Sequence, residues 1–189
     1  MIKTNTLICK TLSENMSGVE LVENEILAPR DHEILIEVKA ASVNFPDLLM
    51  TQGKYQHKPE LPFGLGMEGA GIVQSVGDKV SKVKEGDEIT FGALGKGAFT
   101  ELICVNENSV EIKPSNLSFE QAAAFQTAYL TAYVSLVRRG ELTKGENLLV
   151  HGATGGVGMA AVQLGKYLGA KVIATGTSEE KLKETINWG

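Results

Sequence analysis

The chain has 189 residues, 43% of them hydrophobic, and a formal net charge of −5. That length holds one good-sized domain or two small ones, and an acidic balance without a basic run gives nucleic acid or an anionic membrane surface nothing to hold. The two cysteines, Cys9 and Cys104, each stand alone in an apolar, strand-like setting and allow neither a disulfide framework nor a C-x-x-C zinc pair; both read as reduced core residues. The opening MIKTNTLICK lacks an apolar signal core, and no stretch approaches the roughly 18 uninterrupted apolar residues that span a bilayer. The expected address is cytoplasmic.

Up to about residue 117 the pattern is short β-type runs divided by turns: TLIC, EILIEVKAASV, GAGIVQSV, DEITF and AFTELICV. In EILIEV, Ile34, Ile36 and Val38 alternate with Glu33, Leu35 and Glu37, and VGDKV and EGDEI place Gly-Asp where turns belong. Residues 1–117 are predicted to form a compact antiparallel β-domain with almost no helix.

Residues 118–189 change texture. Ser118 and Gln121 make a capping box ahead of the run AAAF, and TAYLTAYVSLVRRG sets Tyr129, Ala132, Tyr133 and Leu136 on one helical face with Gly140 as the stop. NLLV then reads as a short buried strand, HGATGGVG as a glycine-rich turn, and Val157, Ala160, Ala161, Leu164 and Leu168 as a helix ended by Gly169. KVIAT is a second strand of the buried parallel type, and Ser178 caps another helix with Glu179 and Glu180 in its first turn. A βαβ unit is therefore predicted.

Two glycine loops compete for a dinucleotide. GLGMEG meets G-x-G-x-x-G with Gly64, Gly66 and Gly69, but Pro59 and Pro62 precede it and a β-type run follows, so neither the strand before nor the helix after is present. In ATGGVG, Ala153 replaces the first glycine, while Gly155 and Gly158 hold the other two places and strand and helix stand on either side. Gly155 lets backbone approach a pyrophosphate, Gly156 adds slack, and Gly158 lets the helix opened by Val157 lie close to the sheet. The second strand ends in Thr175, Gly176, Thr177 and Ser178, with no acid to repel a 2′-phosphate. Ser178 can donate and Lys181 offers a charge one turn on, which favours NADPH over NADH. A helix cap and a solvated lysine are the plainer readings of these two residues, and the pairs of readings are compatible.

The blocks VNFPDLLMTQGKYQHKPELPFGLGMEGAGIVQSVG and HGATGGVGMAAVQLGKYLGAKVIAT resemble the quinone oxidoreductase branch of the medium-chain dehydrogenase/reductases. The resemblance implies a mixed β and α/β fold: a GroES-like β-rich catalytic domain followed by the first part of a Rossmann, doubly wound parallel-sheet domain. It also implies that the full-length enzyme is a homodimer. Zinc-dependent relatives place cysteine, histidine and cysteine where this chain has Asn44, Met67 and a residue near Thr127. An amide, a thioether and a hydroxyl are not a zinc donor set, so no metal is expected. What remains is hydride delivery from NADPH to a quinone or an α,β-unsaturated carbonyl, with an enoyl thioester as the alternative acceptor and a non-catalytic binding module as the contrasting class. By resemblance, Asn44 and Thr131 attend the nicotinamide end and Tyr55 lines the substrate cleft as a donor; an exposed loop tyrosine is the plainer reading of Tyr55. His151, without an acid partner, reads as a packing or loop residue.

A doubly wound domain needs about six parallel strands. This chain shows two and stops at Ile186-Asn187-Trp188-Gly189, where a third strand is due. The expectation is a fragment of a longer enzyme, with an open sheet edge and an uncovered apolar face.

Overall fold

The computed structural model describes residues 1–187. Trp188 and Gly189, on which the expected transition to a third strand falls, lie outside the described residues. The chain divides into two compact units, Met1–Ala124 and the segment from Phe125 onward.

The first unit is built from β1 (Ile2–Cys9), β2 (Val19–Ile26), β3 (Glu33–Ala41), α1 (Phe45–Thr51), β4 (Phe63–Gly64), β5 (Glu68–Val76), β6 (Glu88–Gly92), β7 (Leu102–Asn106), β8 (Val110–Ile112) and α2 (Phe119–Ala123). Eight strands make two antiparallel sheets, ordered β2-β1-β4 and β7-β3-β5-β6-β8. The core gathers Ile34 and Ile36 of β3, Val73 of β5, Ile89 and Phe91 of β6, Val105 of β7 and Val110 of β8. Apolar side chains that alternate along each strand thus meet on one side, the arrangement that stabilises such sheets through hydrophobic burial. Leu35 departs from the alternation, since it is buried like its neighbours.

Among the elements absent from the sequence reading is α1. Asn44 stands at its N-cap, Pro46 lies in its first turn, and Asn44 and Asp47 are arranged as a capping box; Asn-x-x-Asp with a proline inside the first turn was the available signal. The predicted box at α2 forms, with Ser118 Oγ accepting from Gln121 N at 3.2 Å and Gln121 Oε1 from Ser118 N at 3.0 Å. α2 packs on β5 and β3 and so belongs with the β-rich unit.

The second unit runs α3 (Gln126–Tyr133), a π-helical continuation over Val134–Arg139, β9 (Asn147–Val150), α4 (Gly156–Tyr167), β10 (Lys171–Ala174) and α5 (Glu179–Ile186). β9 and β10 pair in parallel, Asn147 opposite Lys171 and Val150 opposite Ala174, which completes the predicted βαβ unit. Ala132 and Val150 are buried in its core with Ala153, Ala160 and Val162, and Tyr129 and Leu136 pack against them, whereas Tyr133 is exposed. The Tyr129 hydroxyl donates to the Gln163 side-chain oxygen and ties α3 to α4.

Two sequence expectations are corrected here. The strands are not buried on both faces, because Leu149 is 52% and Ile173 48% exposed. α4 covers only the side that carries Leu148 and Val172. The close approach of helix to sheet occurs at Gly165, where an added Cβ would meet Leu148 Cδ2 at 2.4 Å; at Gly158 it would meet Gly152 O at 2.2 Å, so that glycine serves the turn entering the helix.

Candidate functional site

The loop between β9 and α4 is set by its own hydrogen bonds. Gly152 takes a positive φ of 65°, a conformation glycine adopts without steric cost. Ala153 N donates to Thr175 O at 3.0 Å, and Gly155 N to Gly152 O at 3.1 Å. Ala153 is fully buried, so it packs the turn and offers no free donor. Gly155 is the N-cap of α4, and Gly156, Val157 and Gly158 follow as its first turn. Their amides have no carbonyl one turn earlier to bond and carry the positive end of the helix dipole. An added Cβ at Gly156 would meet nothing within 4 Å: the loop is open where an anion would approach and closed at Gly158, where the turn needs the space.

The end of β10 is joined to this loop. Thr175 Oγ1 lies 2.9 Å from His151 Nδ1, and Thr175 N donates to Val150 O at 2.9 Å. His151 therefore spans the ends of both strands, a contact between residues 24 apart that no local pattern marks. Ser178 caps α5, its Oγ accepting from Lys181 N at 3.3 Å, and its own O–H stays available to donate. Gly176 and Lys181 are exposed. Lys181 makes no ion pair among the described residues, whereas its neighbour Lys183 pairs with Glu179 at 3.4 Å. Thr131, exposed on α3, donates to Thr127 O at 2.6 Å.

In the first unit, Asn44, Ser42 and Glu68 form a closed polar triangle. Glu68 Oε1 accepts from Ser42 Oγ at 2.6 Å and from Asn44 Nδ2 at 2.9 Å, and Asn44 Nδ2 also reaches Ser42 Oγ at 2.9 Å. Glu68 is 2% exposed and Asp47 4%. Asp47 Oδ2 accepts from Asn44 N at 2.8 Å, while Oδ1 has no hydrogen-bond partner among the described residues. Burial pushes the Asp47 carboxyl above the usual range; the Asn44 and Gly66 amides pull it back, and the Glu68 charge adds to the rise. Sequence reasoning found Asn44 but missed Ser42 and the two acids as its partners.

GLGMEG belongs to this unit. Gly64 lies in β4, Gly66 holds a φ of 97°, and Gly69 lies in β5. Each is pressed against backbone or ring atoms: an added Cβ would meet Lys96 O at 2.1 Å, Phe99 N at 2.8 Å and Phe91 Cζ at 2.7 Å respectively. These glycines let β-strands and turns approach one another. Met67 packs with Tyr55 and Phe99 on the apolar cluster of Cys9, Met50, Phe63 and Leu65. Tyr55 is half-buried there, and its hydroxyl has no hydrogen-bond partner among the described residues. Among the described residues no three His, Cys, Asp or Glu side chains come together as a metal-holding group, and no helix is long and apolar enough to cross a membrane.

Known proteins share this architecture. Residues 30–115 match the alcohol dehydrogenase GroES-like domain. Human quinone oxidoreductase is 37% identical over 161 residues, 85% of this chain and 49% of that protein. A probable oxidoreductase from Mycobacterium abscessus superposes with a TM-score of 0.91 at 35% identity, covering 100% of this chain and 60% of its own. The Escherichia coli quinone oxidoreductase crystallised in complex with NADPH gives 0.84 at 35% identity, covering 98% and 56%. The chain shares the fold of the medium-chain dehydrogenase/reductase oxidoreductases and is similar to quinone oxidoreductases over 85% of its length. It spans about half the length of the curated relatives it matches.

Proposed function

We propose that the chain carries the chemistry of an NADPH-dependent oxidoreductase that reduces a quinone or an α,β-unsaturated carbonyl without zinc. The observation that carries this reading is the start of α4, where the first-turn amides of Gly156, Val157 and Gly158 follow an exposed Gly155 and a buried Ala153, and free space opens at Gly156. Such a turn suits a pyrophosphate, because the peptide dipoles and N–H groups meet negative charge without a side chain in the way. Thr175, Gly176, Ser178 and Lys181 lie at and beyond the end of β10, where the adenosine ribose is bound in folds of this kind. Ser178 O–H and the exposed Lys181 ammonium suit a 2′-phosphate. The relative crystallised with NADPH supports the same choice of nucleotide.

NADPH, when bound, supplies the hydride. The residues of this chain bind, orient and exclude water. In the second unit Thr131 is assigned to the nicotinamide portion. In the first, Asn44 is assigned to the nicotinamide portion and Tyr55 to the electron acceptor, the latter because an unpartnered phenol on an apolar cluster offers both a stacking surface and a donor. An electron-poor quinone or enone takes hydride without a Lewis acid, whereas alcohol oxidation would need one. The amide of Asn44 and the thioether of Met67 are poor replacements for zinc ligands.

Fluorescence titration with NADPH and NADH, followed by NADPH oxidation in the presence of 1,4-benzoquinone, tests the reading. Binding of NADPH in preference to NADH and turnover that survives EDTA are expected. Failure to bind either nucleotide overturns the cofactor assignment; activity lost to EDTA and restored by zinc overturns the zinc-free chemistry.

A further inference from the structure

Asn44 Nδ2, Ser42 Oγ and Glu68 Oε1 are separated by 2.9, 2.6 and 2.9 Å. From Nδ2 the two acceptors therefore lie about 53° apart, less than half the divergence of the two N–H bonds of a planar amide. One amide hydrogen directed between the two acceptors can serve both, an arrangement that turns the second out of the triangle. That second N–H has no acceptor among the described residues. The NH2 side of the amide faces Glu68, whose Oε1 also takes the Ser42 hydroxyl and so acts as an acceptor toward both partners. Asn44 and Asp47 are arranged as a capping box at the start of α1, where Asp47 N donates to the Asn44 main-chain oxygen at 3.0 Å.

We propose that Glu68 is a positioning residue which, with Ser42 as the third corner, locks the Asn44 amide so that its free N–H is presented as a donor to an oxygen of the nicotinamide nucleoside. The proposal rests on the assignment of Asn44 given above and adds its polarity. Asn44 recognises an acceptor, and the buried acid behind it decides this. Ser42 both donates to Glu68 and accepts from Asn44, so it closes the triangle without supplying a charge of its own. Glu68→Gln retains a carbonyl that can accept from both partners, whereas Glu68→Leu removes the acceptor and frees the amide to rotate.

Two measurements separate the positioning from the function it serves. In 1H–15N spectra of the nucleotide-free chain, the two Asn44 Nδ2 protons are expected to be widely separated in shift, one of them protected from exchange. Ser42→Ala and Glu68→Leu are expected to draw them together, while Glu68→Gln keeps them apart. An Asn44 amide signal unchanged in both Ser42→Ala and Glu68→Leu overturns the positioning role, and Ser42→Ala decides the point alone if the buried Leu prevents folding. In NADPH titrations, Glu68→Leu or Ser42→Ala is expected to weaken binding about tenfold, the scale of one well-made hydrogen bond. Glu68→Gln is expected to recover most of that loss, and neither loss should add to that of Asn44→Ala. Additive losses mean that Glu68 acts on the fold and not through Asn44, which overturns the proposal. If the unsubstituted chain does not bind NADPH, or Asn44→Ala leaves its affinity unchanged, the assignment of Asn44 falls and the recognition half of the proposal with it, while the amide spectrum still decides the positioning half.

Discussion

A Cβ placed on Gly64 would lie 2.1 Å from the carbonyl oxygen of Lys96, with Lys96 C at 2.8 Å and Gly97 Cα at 3.0 Å behind it. All three atoms are backbone. Relief would need a shift of the chain between β6 and β7, and Lys96 and Gly97 are themselves held by donation to Ala93 O at 2.9 and 3.0 Å. Gly64→Ala is therefore expected to destabilise the protein by about 3 kcal/mol through overpacking, read as a lowered urea midpoint at unchanged slope. Gly86→Ala is the control: its φ of 85° is unfavourable for alanine, but nothing lies within 4 Å of the added methyl, and a loss of only about 1 kcal/mol is expected from backbone strain. Equal losses at both sites would refute the close-packing role of Gly64.

This contact also explains why GLGMEG is misleading as a motif. The spacing of three glycines is the same whether the partner is a pyrophosphate or another stretch of backbone, and only the neighbouring elements tell them apart. Those elements were legible. Alternation in EILIEV and the Gly-Asp turns located β3, β5 and β6, and the apolar period after HGATGGVG located α4. Other parts left no local trace. β4 has two residues and β8 three, too few for a period of two to show, and β2 is a mostly exposed run with charges along it. Glu68 and Asn44 are 24 residues apart; their pairing follows from the antiparallel register that brings Ala41 of β3 opposite Gly69 of β5, which no window of sequence contains.

The charge on Lys181 is expected to select the nucleotide. Lys181 is exposed and makes no ion pair among the described residues, so its removal leaves no buried charge and no broken structural contact. Lys181→Ala should weaken NADPH binding about tenfold, the factor that roughly 1.4 kcal/mol of charge-assisted contact supplies, and leave NADH binding as it was. Equal weakening of both nucleotides, or of neither, would remove Lys181 from the 2′-phosphate site.

Asp47 is expected to make the β-rich unit sensitive to pH in a direction opposite to most carboxylates. Its folded-state pKa is raised, first by burial, against the favourable Asn44 and Gly66 amides. The folded state thus holds a proton that the unfolded chain releases, and this contribution to stability is present below the unfolded value and lost as pH rises through the folded one. Asp47→Asn keeps an acceptor for Asn44 N and removes the ionisation. Its melting temperature relative to the wild type is expected to improve as pH rises through that window, and a constant difference across the acid and neutral range would exclude Asp47 as the source.

Glu107 works the other way. Its Oε2 accepts from Ser81 N at 3.0 Å and Lys82 N at 3.4 Å, and its Oε1 lies 2.8 Å from His32 Nδ1. Its own amide donates to His32 O at 2.9 Å. The Ser81 amide first, and the His32 contact after it, hold the carboxyl below the usual carboxylate range. A lowered folded-state pKa contributes stability that is present above the unfolded value of about 4.3 and lost as pH falls through the folded one. Glu107→Gln preserves a carbonyl for the Ser81 and Lys82 amides while removing the charge, so the variant is expected to melt lower than the wild type at neutral pH and to approach it as the pH falls into the acid range. His32→Ala removes the imidazole contact but leaves the Ser81 and Lys82 amides, and should leave most of the acid slope in place. A thermal-melting series at fixed ionic strength checks both. If Glu107→Gln retains the full acid slope, the loss of stability at low pH arises elsewhere and the Glu107 carboxylate is not what fastens the turn before Ser81 to the end of β7.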